Sequence, residues 1–350
     1  MDWPGSLVAT RCGEIFVRHD PQPPVRPVES SGSAAAGLHD AKSPLDDVES
    51  RGREPALFVH GLGGESLDWA DVVGLLADRL DGWALDLPGF GESPPPAYGD
   101  LSIDGHARAV VEVIRAIDRG PVHLIGNSLG GSIATRVAAE HPELAKTLTL
   151  VSPALPDLRP RLWTWQLLVV LIPGIGTHIV DFALRGDPER MAQRVFWLCY
   201  GDPNAVTDRR RSEVVAAARR RAELAHSGMA YRASLRALVS AYVQFGRRRL
   251  WRQAKLIGVP TLLIYGGRDK LVDPRMARRA VATFPSAHRV MMAEAGHVAH
   301  LEFPDRVAMV LRAFLEGDGQ TLDRGMAGRH GTVEIGDAHV TSAPADRRPP

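Results

Sequence analysis

Val122-His123-Leu124-Ile125-Gly126-Asn127-Ser128-Leu129-Gly130-Gly131 carries an apolar run of strand character into Gly-x-Ser-x-Gly. A helix-compatible segment follows, from Ser132 to about His141. In this strand–turn–helix context a serine can serve as a nucleophile. The turn is so tight that flanking side chains would collide, which requires Gly126 and Gly130. Ser128 is expected to project alone, and the N–H of Leu129 to open the helix. A helix N-terminus favours the negative charge that grows on an acyl oxygen under attack. Gly-x-Ser-x-Gly is a short pattern, however, and glycine-rich turns are common, so the surrounding chain must decide.

Outward from this point, strands alternate with helical patterns. Upstream lie an apolar run Ala56–Val59 ending in His60-Gly61-Leu62-Gly63-Gly64, a helix-like segment Ser66–Leu80, the strand Trp83–Leu85 and a helix Leu101–Ile117. Downstream lie the strand Thr147–Val151 and, much later, Thr261–Tyr265, a helix from about Pro274 to Phe284, His288–Met292, and a last helix from Pro304 to about Leu315. This alternation predicts an α/β fold: a mostly parallel central sheet with helices on both faces. The continuous apolar runs are those of strands buried on both sides.

The predicted organisation places N-terminal strand(s) of the core in 1–19, including Gly13–His19, and a flexible Pro/Ser/Gly-rich insertion in 20–54, with room for a second short strand inside it. The core occupies 55–152 and 256–316, split by a helical lid over 153–255, and 317–350 reads as a disordered tail. Cys12 and Cys199 are far apart and lack a CxxC partner, so reduced thiols in a cytoplasmic protein are expected and no metal site is read. Met1–Thr10 lacks the basic and apolar regions of a secretory signal, and no run approaches a membrane span. The net charge of +1 gives no reason to expect a nucleic-acid partner.

A serine needs a base, and the base an acid to orient it. Asp269 follows the strand Thr261–Tyr265 and His297 follows His288–Met292. Carboxyl ends of parallel strands converge on one edge, and the order Ser128, Asp269, His297 is that of a nucleophile-elbow triad. Asp273 competes with Asp269 but suits a cap before Pro274. His300 competes with His297, which is preferred because Gly296 allows a tight turn. His106, His123, His141, His226 and His288 have no metal-ligand spacing. The N–H groups of Leu62 and Leu129 are expected to form an oxyanion hole, with His60 and Asp86 holding loops.

Together, His60-Gly61-Leu62-Gly63-Gly64, Asp86-Leu87-Pro88-Gly89-Phe90-Gly91-Glu92-Ser93, Gly126-Asn127-Ser128-Leu129-Gly130-Gly131, Gly266-Gly267-Arg268-Asp269 and Gly296-His297 resemble the α/β-hydrolase fold family over residues 54–316. The resemblance implies Ser128 as nucleophile, His297 as base, Asp269 as its acid and Leu62 and Leu129 as oxyanion hole, with no cofactor. Ser128 argues against the family's dehalogenases and epoxide hydrolases, which carry Asp there. The Gly-Asn-Ser-x-Gly-Gly form is similar to carbon–carbon bond hydrolases, whose glycine-rich extension after His-Gly is missing. The expected activity is lipase- or esterase-like hydrolysis of a small hydrophobic ester or thioester. Alternatives are acyl transfer or carbon–carbon cleavage on the same triad, or a non-catalytic binding protein of the same fold.

Leu162–Ile172, with Trp163 and Trp165, is the most hydrophobic stretch and reads as a lid helix, one face of which lines an acyl pocket. The 153–255 segment also carries Arg209–Arg211, Arg219–Arg221 and Arg247–Arg249, an excess of roughly ten positive charges. It is read as a solvated helix face or as a peripheral contact with an anionic membrane surface.

Overall fold

Strand β3 (Glu54–Val59) shows how the sequence builds the core. Leu57 and Val59 face one apolar layer, Ala56 and Phe58 the other, and all four are fully buried. The period-two alternation of a strand thus feeds two cores at once. In the computed structural model this strand lies in a sheet to which the described residues contribute ten strands, in the order β1-β2-β4-β3-β5-β6-β7-β8-β10-β9. The structure describes residues 3–19, 52–96, 99–157, 186–241 and 246–317, the strands at 332–335 and 338–342, and positions 172, 175, 176, 178, 179 and 244.

The six central strands, β4 (Leu80–Leu85), β3, β5 (Val122–Asn127), β6 (Ala145–Val151), β7 (Thr261–Gly266) and β8 (Ala287–Met292), run parallel. Every residue of β5 and β7 is buried, which their uninterrupted apolar character anticipates. An antiparallel hairpin, β1 (Gly5–Thr10) and β2 (Gly13–His19), closes one edge against β4. One core layer holds helices α2 (Ile103–Ile117) and α3 (Leu129–Glu140); the other holds α1 (Ala70–Leu75) and the C-terminal helix Pro304–Leu315. Helices therefore cover both faces.

Between β6 and β7 the described residues form helices α4 (Pro188–Cys199), α5 (Asp208–Glu223), α6 (Ser227–Ser240) and α7 (Leu250–Ala254) and contain no strand. Ala192, Phe196, Tyr200 and Val215 form a small core of their own, with the Phe196 and Tyr200 rings edge to face at 5.1 Å. The Leu162–Leu171 part of the apolar stretch and residues 20–51 of the expected insertion, with any second strand there, lie outside the described residues.

Three boundaries differ from expectation. The helix expected over 66–80 is a 3-10 turn (Ser66–Trp69) followed by α1, and Leu80 opens β4 opposite Glu54. Pairing with β3 outweighs the helical spacing of Leu76 and Leu80. The helix expected from Pro274 is α8 (Met276–Val281), its start set back by the turn Met276 N–H to Asp273 O. The disordered tail expected over 317–350 is corrected at 332–342, where β9 (Thr332–Ile335) and β10 (Ala338–Ser342) extend the sheet from β8. Two residues, Gly336-Asp337, separate β-branched runs there, a hairpin signal hidden in a polar tail.

Arg136 of α3 is buried to 1% exposure and joins three segments: Asp104 of α2, Gln244 and the carbonyl of Arg248. A buried guanidinium is costly unless each partner is kept. Arg136→Met should lower the free energy of unfolding by about 3 kcal/mol in urea titration, the low end for breaking a buried pair, because Arg248 at 3.6 Å still faces Asp104.

Candidate active site

Ser128 sits between β5 and α3 with φ 52° and ψ −114°, a conformation that L-residues rarely adopt. The surrounding backbone holds it there. Its N–H donates to Val151 O at 3.1 Å, and its carbonyl accepts the N–H groups of Ser132 at 3.1 Å and Ala154 at 3.0 Å. A Cβ on Gly126 would lie 2.5 Å from Gly130 O, and one on Gly130 would lie 2.5 Å from His60 O. Both positions therefore admit only glycine.

His297 follows β8 and shares a cavity wall with Ser128. Its Nδ1–H donates to Asp269 Oδ2 at 2.9 Å, which leaves Nε2 as the nitrogen able to accept a proton. Asp269 is fully buried, and its Oδ1 accepts the N–H groups of Leu271 at 2.8 Å and Val272 at 2.9 Å. Of the competing candidates, Asp273 also lines the cavity and His300 does not. Asp273 accepts the N–H and guanidinium of Arg275. His300 is buried and stacks on Trp69 with ring centroids 4.1 Å apart. Cys199 lines the cavity, but burial pushes its thiol up to about 12, too high for a thiolate nucleophile near neutrality.

Two positioning residues were not singled out by the sequence motifs. Asn127 Nδ2 donates to Val151 O at 3.0 Å and to His297 O at 3.1 Å, so the residue beside the serine also holds the histidine loop. Glu302 accepts the N–H of Gly296 and the N–H of Gly201, each at 2.7 Å. It thereby joins the histidine loop to the end of α4, where Cys199 O accepts the His297 N–H at 2.7 Å. A half-buried carboxylate six residues beyond Gly296 could have been suspected only from its helical neighbourhood.

Leu62 lines the cavity, while the Leu129 side chain is buried in the core beneath α3. Among the described residues neither N–H donates a hydrogen bond. His60 is fully buried: Nδ1–H donates to Gly61 O at 2.7 Å and Nε2 accepts the Leu87 N–H at 2.9 Å. Burial lowers it to about 4, so it stays neutral and ties two loops. Asp86 likewise accepts the N–H groups of Ser66 at 2.6 Å and Glu92 at 2.8 Å.

The cavity measures about 750 Å³. Leu155, Val195, Leu235, Leu238, Val239 and Met276 give it an apolar wall, and the helical insertion supplies much of it. The arginine runs are not simply a solvated face. Arg209 and Arg210 pair with Asp71 at 2.6 and 2.5 Å, and Arg220 pairs with Glu65, so they fasten the insertion to the loop and helix after β3. Among the described residues no group of three His, Cys, Asp or Glu side chains could hold a metal ion. No helix there is long and apolar enough to cross a membrane.

Burial raises Glu302 from 4.5 to about 7 and outweighs its two N–H bonds; Asp68, in the cavity wall, is raised to about 7 for the same reason. An acid raised on folding binds more protons in the folded chain, so its contribution to stability is complete below the unfolded value and lost as pH rises through the folded one. These two acids therefore withdraw stability between about pH 4.5 and 7, against the buried His60, which adds it as pH rises to 6.5. Glu302→Gln should raise the thermal midpoint at pH 7 relative to pH 4.5 when compared with the wild type in scanning calorimetry.

Comparison with known proteins places the fold. The chain is 26% identical over 275 residues to the dihydrolipoyllysine-residue acetyltransferase component of the acetoin cleaving system of Pseudomonas putida, with 77% of this chain matched and 65% of that protein spanned. It is 26% identical over 277 residues to Lipase 3 of Moraxella sp. (strain TA144), covering 75% of this chain and 78% of that one. A solved structure of 2-hydroxy-6-oxo-6-phenylhexa-2,4-dienoate hydrolase from Rhodococcus sp. strain RHA1 superposes with a TM-score of 0.65 at 16% identity, covering 90% of this chain and 99% of that chain. The model of the alpha/beta hydrolase fold matches residues 55–304, most of the sheet and the serine elbow within it, and the chain belongs to that family.

Proposed function

We propose that this chain is a serine hydrolase that cleaves a carboxylic ester or thioester carrying a hydrophobic acyl or alkyl group. The observation that carries the reading is the arrangement at one cavity wall: Ser128 in its positive-φ elbow, and His297 held by a buried Asp269. His297 Nε2 takes the Ser128 proton as Oγ attacks the ester carbonyl. Asp269 keeps the imidazole in the productive tautomer and stabilises its positive charge. The N–H groups of Leu62 and Leu129 receive the developing oxyanion; one such donor typically contributes about 3–4 kcal/mol. The protonated His297 then gives its proton to the departing alcohol or thiol. Water activated by the same nitrogen hydrolyses the acyl-enzyme, restoring Ser128 and releasing the acid. The apolar wall supplied by the insertion accommodates the hydrophobic part of the substrate, in the manner of a lid. Similarity to a protein named Lipase 3 supports this reading.

Incubation with a fluorophosphonate should add one adduct to the intact mass of the wild type and none to Ser128→Ala. Absence of an adduct on folded wild-type protein would overturn the hydrolase reading in favour of a non-catalytic binding protein.

Asp269→Asn should leave the fold intact and lower kcat by about four orders of magnitude on a short-chain ester, through loss of the required His297 tautomer. A loss below tenfold in steady-state kinetics would remove Asp269 from the proposed role.

A further inference from the structure

A second cavity, of about 190 Å³, adjoins the large one, and Glu65, Arg220, Arg221 and Tyr231 line both. The partition stands beside the proposed oxyanion loop. A Cβ on Gly63 would lie 3.3 Å from Cε2 of the Tyr231 ring, one residue beyond Leu62. Both cavities expose mainly apolar surface, but half of the residues that line the small one are charged.

Most of that charge is already engaged. Arg18 pairs with Glu92 at 2.5 Å, Arg220 pairs with Glu65, and the Asp86 carboxylate accepts two backbone N–H groups. Glu223 is exposed to solvent. Arg221 differs: it is half-buried, and no carboxylate oxygen of the described residues lies within 4.0 Å of its guanidinium. It lines both cavities together with Tyr231, and its charge is felt at His60, Asp68 and Tyr231. Asp68 is the acid that feels this charge, but it is not in ion-pair contact with Arg221, whose planar fork suits carboxylate and phosphate oxygens.

We propose that the small cavity is the leaving-group subsite and that Arg221 selects alcohols carrying an anionic oxygen group, a phosphate or a carboxylate. This rests on the ester-hydrolase reading. The acyl chain then occupies the large cavity. The bond that breaks is the ester C–O bond: the acyl group remains on Ser128 Oγ, and the alcohol departs with the proton from His297. The anionic group takes no part in bond making and is held by Arg221 on the far side of Tyr231.

The test uses three dodecanoyl esters matched in acyl chain, those of glycerol, glycerol phosphate and glycerate, with the full-length protein. The wild type should favour one or both anionic esters over the glycerol ester in kcat/KM by about tenfold or more, the scale of a charge-assisted contact. Arg221→Gln should collapse that ratio towards one, chiefly through KM, whereas Arg221→Lys should keep part of it and Arg221→Glu should invert it. Fluorophosphonate labelling of each variant reports that Ser128 remains reactive. Preference for the phosphate ester alone, or for the carboxylate ester alone, identifies which oxyanion the subsite takes. Labelling and turnover without discrimination, or an equal change for all three esters in Arg221→Gln, overturns this inference alone. Absence of labelling and of turnover overturns the hydrolase reading and this inference with it.

Discussion

The backbone at Ser128 is the constraint on which the rest of this molecule depends. A serine held at φ 52° stores strain of about 1–3 kcal/mol, and the flanking structure must compensate. It does so through β5, buried along its whole length, and through α3, whose first turn is pressed against the end of β3. Gly126 and Gly130 permit an approach that any Cβ would block. The result is a serine at the carboxyl edge of a parallel sheet and at a helix N-terminus, in the wall of the cavity.

The histidine loop is positioned by a second concentration of backbone bonds. Asn127, Cys199 O and Glu302 draw together the elbow, the end of α4 and the turn at Gly296. Gly296 and Gly266 are close-packed there as well; a Cβ on Gly296 would collide with Cys199 O. The helical insertion is consequently part of the frame around His297 as well as a wall of the cavity. The Arg209, Arg210 and Arg220 pairs, individually small contributors to stability because they are partly solvated, orient the insertion over the core.

Much of this was legible before any coordinates. Leu57–Val59, Leu124–Ile125 and Leu262–Ile264 serve two cores at once, so their strands are apolar without interruption and stand out. The motif at 126–130 was legible because a steric necessity leaves glycine at two fixed spacings. Elements at the margins were harder to read. Leu80 has helical spacing from Leu76 but belongs to a ladder with Glu54, since a strand partner distant in sequence outbids local periodicity. The hairpin at 332–342 was masked by its polar, arginine-rich surroundings, which carry the composition of a solvated tail.

The chain's order of residues by itself determined the parallel α/β architecture, the serine elbow and the two acid and histidine positions at strand ends, because each follows from local sterics or from burial on both faces of a sheet. The sequence preferred Asp269 to Asp273 and His297 to His300, and the tertiary structure adds the contact between Asp269 and His297 Nδ1. Members of each pair are three or four residues apart and chemically equal, and in space they differ in which carboxylate meets Nδ1 and which ring reaches the cavity. It also decided what the arginines do. Charge count is additive along a chain, whereas pairing with Asp71 and Glu65, more than a hundred residues away, depends on the fold that brings them together.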